Sequence, residues 1–152
     1  MKLAEALILR ADCQKRFEQL KARAVRAAKV QEGDQPAEDP REILREAERV
    51  AAELAELIRR INRTNSATTF AAGKTVSDAL AERDVTALRR ALYADLAAAA
   101  AVTHDRYSRS EVKYVSTVNV AESQKMADAL AREYREMDAR IQELNWQTEL
   151  LP

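Results

Sequence analysis

The sequence predicts an all-α fold: four long helices, an antiparallel coiled-coil hairpin at the N-terminal end, and a minor two-stranded β ribbon. Three observations predict it. The 152 residues include only 2 Gly and 3 Pro, aromatics make up 5 %, and a third of the chain is charged, a composition suited to long helices. Apolar residues recur in alternating steps of three and four through most of the chain, as in helices that share a seam. Capping residues stand where the later helices are expected to begin. The length fits one domain, with 1–62 as the hairpin and 63–152 supplying helices three and four with the connecting ribbon.

The first helix is expected over about 2–29. Leu3, Ala6, Arg10, Cys13, Phe17, Leu20, Ala24 and Ala27 form its stripe. Cys13 on that stripe reads as a small buried hydrophobe rather than a reactive thiol. Gly33 is expected to stop this helix, and Pro36 prevents its continuing. Asp39-Pro40-Arg41-Glu42 then opens the second helix: the carboxylate accepts a first-turn N–H and Pro40 sits where none is needed. Ile43, Ala47, Val50, Leu54, Leu57 and Ile61 carry a strict 4-3 rhythm to about residue 62, which implies a left-handed supercoil.

The charges are segregated. Residues 1–31 hold eight basic residues against three acids, residues 32–62 five against nine, and residues 121–152 four against seven. A basic first helix packed beside acidic ones accounts for this through flanking ion pairs. Net charge is zero overall and only +1 over 103–120, with three basic residues against two acids, so no nucleic-acid groove is indicated.

Past residue 62 the helical pattern breaks, and Ala67–Phe70 is β-prone. Thr75 with Asp78 makes a capping box for helix three, whose expected apolar face is Leu80, Val85, Leu88, Leu92 and Leu96, with Asp84 as a kink or restart. The run Ala97–Ala101 is smooth enough for close approach by a neighbour. Val112 to Val120 alternates like a strand, and the ribbon is expected to pair it with Ala67–Phe70, within one subunit or between two. Asn119 with Glu122 caps helix four, with Leu130, Tyr134, Met137, Ile141 and Leu144 on its seam. Trp146, Leu150 and Leu151 are expected to cover the end of the bundle or a neighbouring subunit.

Chemistry-bearing motifs are sparse. "AAGKT" at 71–75 has threonine where a phosphate loop needs its first glycine. With one His and one Cys, no metal site, disulfide or cofactor is indicated, no catalytic residues stand out, and the balance leans away from an enzyme. Two polar clusters at helix breaks are candidates for a small anionic ligand: Asn62, Arg63 and Asn65, and Arg106, Tyr107 and Arg109 with Lys113. Arginines beside hydroxyls and amides take up phosphate or carboxylate.

The stretches "MKLAEALILRAD", "KVQEGD", "INRTN", "TVSDALAERD", "RYSRSEVKYVSTV" and "QELNW", in this order, resemble a family of small uncharacterised bacterial proteins whose members often carry the label "septicolysin". The resemblance spans essentially the whole chain. It brings no catalytic residues, and its label implies a membrane-active protein. The residues argue otherwise: no export signal and no apolar run near the ~20 residues needed to cross a bilayer. The sequence therefore points to a cytoplasmic, self-associating helical protein with a structural or interaction role, and a homo-oligomer as the expected state.

Overall fold

The computed structural model describes residues 1–101 and 113–152. In chain order it forms α1 (Leu3–Ala27), α2 (Pro40–Ala67), β1 (Thr69–Ala71), β2 (Lys74–Thr75), α3 (Val76–Ala100) and α4 (Val120–Gln147). The four-helix, mostly α architecture predicted from the sequence is present. The chain divides into two compact units, Met1–Thr68 with Leu144–Pro152, and Thr69–Glu143.

The first unit is built on the hairpin of α1 and α2. Ala6, Cys13 and Leu20 on α1 are buried at seven-residue intervals, as are Ile43, Val50 and Leu57 on α2. They join Leu3, Ile61 and Leu150 in one core, with Phe17, Ala24, Ala47 and Leu54 packed against it. The seam is the one the 4-3 rhythm predicts, and each fully buried Leu or Ile stabilises it by about 1.5–3 kcal/mol. Cys13 is buried on it, and that burial, with Glu53 nearby, pushes its thiol pKa up. Arg16 bonds Glu46 and Arg23 bonds Glu38, so the basic helix does meet acids beside the seam.

Two boundaries differ from expectation. α1 ends at Ala27, and Gly33, at φ +92°, serves the turn in which Asp34 N–H donates to Gln31 O at 3.0 Å. α2 begins as predicted, with Asp39 Oδ1 accepting from Arg41 N–H at 2.9 Å. It then runs past residue 62 to Ala67. Thr64 lies inside it and Thr68 is its C-cap. Thr64 Oγ1 donates to Arg60 O at 2.7 Å and Thr68 Oγ1 to Thr64 O at 2.8 Å, so both hydroxyls are satisfied inside the helix.

The β ribbon is present, but with different partners. β1 pairs antiparallel with β2, Thr69 opposite Thr75 and Ala71 opposite Lys74. Residues 114–119 are not in a strand, and Val112 lies outside the described residues. Gly73, at φ +74°, closes the tight turn, and a turn this short costs little closure entropy compared with a distant pairing. Thr75 and Asp78 form the predicted capping box for α3, with Asp78 N–H donating to Thr75 Oγ1 at 3.2 Å and Thr75 N–H to Asp78 Oδ2 at 2.8 Å.

α3 is continuous through Asp84, with no restart there. Its buried residues are Val76, Ala79, Thr86 and Ala97, with Arg83, Tyr93 and Ala100 partly buried on the same face. Of the face predicted as its core side, Val85, Leu88, Leu92 and Leu96 are turned outward, while Leu80 is half-buried. On α4, Ser123, Ala127, Leu130, Ile141 and Leu144 are buried and Tyr134 and Met137 half-buried, the predicted seam extended about two turns toward Asn119. Asn119 Oδ1 accepts from Glu122 N–H at 3.1 Å, as expected of the cap.

Candidate functional site

Two regions hold the residues a function could use: the end of α2, where one predicted polar cluster lies, and the outer face of α3.

At the end of α2 the predicted cluster meets the C-terminal segment. Arg60 Nε donates to Leu151 O at 2.9 Å, and Arg63 bonds Pro152 O. Thr64 is fully buried, and its hydroxyl also accepts from Leu151 N–H at 3.0 Å. Thus Thr64 satisfies the tail and its own helix at once. Beside it Leu150 enters the hairpin core. The segment is held from the other side by the start of α1: Leu3 N–H donates to Thr148 O and Leu150 N–H to Met1 O, both at 2.9 Å. Lys2 and Glu149 face each other across an antiparallel bridge, with Lys2 Nζ 2.7 Å from Glu149 Oε1. The bonds from Lys2, then from the Met1 ammonium, hold the Glu149 carboxyl below its usual range.

This geometry gives Arg63 a structural partner. Asn62 is exposed and Asn65 half-buried beside it. Lys113 is exposed in the second unit, and Arg106, Tyr107 and Arg109 lie outside the described residues. The tail's expected role falls to Leu150, which is buried, while Trp146 is 57 % exposed. No local pattern marks Thr64 as the residue that joins the tail to α2, because a threonine in a polar run looks like a helix breaker until its tertiary partner is known.

The outer face of α3 is the second region. Val85, Leu88, Leu92 and Leu96 are 54, 71, 63 and 38 % exposed, and at their spacing they form one row along the helix. The buried face carries the smaller and polar residues, and there Arg83 Nη1 donates to Asp138 Oδ1 on α4 at 2.8 Å. Burial opposes the charge on Arg83, but its bonds to Asp84 and Asp138 outweigh this and raise its pKa. A groove of about 410 Å³ runs beside the leucine row, lined by Ala81, Glu82, Val85, Thr86, Arg89 and Glu133. α3 therefore has two usable faces, one buried in its own unit and one open.

Among the described residues, no three His, Cys, Asp or Glu side chains stand together as metal ligands, and no helix is long and apolar enough to cross a membrane.

Comparison with known proteins places the fold in company. A crystal structure from Corynebacterium diphtheriae, described as that of a functionally unknown conserved protein, is 53 % identical, covers 99 % of both chains and superposes with a TM-score of 0.94. No curated protein matches the chain. The septicolysin label suggested by the sequence resemblance is carried by neither the structural relative nor the family whose profile matches residues 10–150. By that match the chain belongs to DUF6847, a family of unknown function.

Proposed function

We propose that this protein is a self-associating helical protein of the cytoplasm, with a structural or interaction role. The observation that carries the proposal is the open row Val85, Leu88, Leu92 and Leu96 on α3. Single exposed leucines are ordinary on protein surfaces, but a contiguous apolar row is a recurrent mark of a binding surface. Helices with a second apolar face bury it against another helix. The buried free thiol of Cys13 suits a reducing compartment. The absence of a membrane-length apolar helix among the described residues favours this proposal over membrane insertion by a helix.

Sedimentation or light scattering across a dilution series tests it. The mass is expected to rise with concentration from the 17.1 kDa of one chain toward twice that value. A mass that stays at one chain up to the highest concentration measured overturns the proposal.

A further inference from the structure

We infer that the occupant of the α3 row is the α3 row of a second copy, packed antiparallel, with Val85 against the partner's Leu88 and Ala81 against the partner's Leu92. This rests on the self-association proposed above and names its surface and register. The row Ala81, Val85, Leu88, Leu92 repeats in steps of four, three and four, the spacing at which two helices interlock side chains. Ala81 is the small member and lines the groove beside Val85. Antiparallel pairing sets the partner's large Leu92 over that small residue, twice by symmetry.

The charges flanking the row select the register. Glu82 and Arg89 stand on one flank, seven residues apart, and both line the same groove. In this register Glu82 of each copy lies beside the partner's Arg89, giving two opposite-charge pairs. Arg89 makes no ion pair among the described residues, whereas Glu82 reaches Lys74 Nζ at 2.7 Å and keeps a carboxylate in place on the flank. Sliding one helix by a heptad sets Arg89 against the partner's Arg89 and brings Asp95 onto the seam. Parallel pairing aligns the two helix dipoles unfavourably and sets Ala81 against the partner's Ala81 instead of its Leu92. At the ends of the antiparallel contact Asp95 meets the partner's Asp78, which limits the seam to four layers. An interface this short falls below the ~800 Å² per partner of a standard lasting complex, so the dimer is expected to dissociate on dilution.

Charge reversal tests the register. Glu82→Arg alone and Arg89→Glu alone each set like charges together twice, and each is expected to weaken dimerisation about tenfold or more in sedimentation. Mixing the two variants one to one restores opposite pairs across the interface, and the mixture is expected to dimerise as the wild type does. Circular dichroism confirms that each variant keeps its helix content. As a second measurement, in a Cys13→Ser background, Val85→Cys chains mixed with Leu88→Cys chains are expected to form a disulfide-linked dimer more readily than either variant by itself. If Leu88→Glu abolishes the dimer but the single reversals do not weaken it, or the mixture fails to recover, the antiparallel register is wrong while self-association through α3 stands. If the wild type is monomeric throughout, self-association itself fails, and the register with it.

Discussion

The α1–α2 hairpin and helix α3 use the same arithmetic to opposite ends. In the hairpin the large apolar residues of the heptad, Leu20, Ile43, Val50 and Leu57, are buried. In α3 the heptad positions that are buried carry Val76, Ala79, Thr86 and Ala97, while Val85, Leu88 and Leu92 face outward. Spacing alone therefore names the rows of a helix but not which row its own unit buries. A helix with one apolar row has no choice. A helix with two rows has its orientation decided by what its neighbours can satisfy, and here the row with Arg83 is the one that reaches Asp138.

The strongest way to break this contrast is to truncate matched leucines. Leu20→Ala in the hairpin core is expected to cost about 2–5 kcal/mol in denaturant unfolding. Leu88→Ala, measured at low protein concentration, is expected to stay within about 0.5 kcal/mol of the wild type. Similar costs at the two sites would show that the α3 row is covered within its own chain. A smaller loss is expected for Thr64→Val, which keeps the shape but removes the acceptor of Leu151 N–H: about 1–3 kcal/mol, the penalty for leaving a buried donor unpaired. A neutral result there would mean that the tail is held by Leu150 and the arginines alone.

Acid gives the smallest effect and sharpens the role of the ion pairs around the hairpin. Glu149, Glu46 and Glu38 all have pKa values lowered in the fold, chiefly by hydrogen bonds from Lys2, Arg16 and Arg23 respectively. A lowered folded pKa adds stability that is present above the unfolded value, about 4.3 for Glu, and is lost as pH falls through the folded value. Unfolding followed from pH 6 downward should therefore show a modest loss beginning near pH 4–5, reduced in a Glu149→Gln variant. Glu149 and Glu38 are exposed and Glu46 half-buried, so salt should shrink the difference.

Much of the fold was legible because its causes are local. Asp39-Pro40, Thr75 with Asp78, and Asn119 with Glu122 cap helices in the structure as their side-chain chemistry requires. The α1, α2 and α4 seams follow from periodicity, since each of these helices has one dominant apolar row. Of the candidate site residues, Arg63 proved to be bonded to the chain's own tail. That partner lies 89 residues away in sequence, and no pattern around residue 63 encodes it.

By itself, then, the sequence determined that there are four helices, where three of them begin, and which rows they carry, because caps and periodicity depend on residues within a turn or two of each other. Tertiary structure alone decided that α2 continues through Thr64 rather than ending before it, that the ribbon closes at Gly73 rather than reaching the segment before α4, and that α3 leaves Leu88, Leu92 and Leu96 open. Each of those outcomes is a competition between partners far apart in the chain, settled by which arrangement leaves the fewest polar groups unpaired and the least entropy lost.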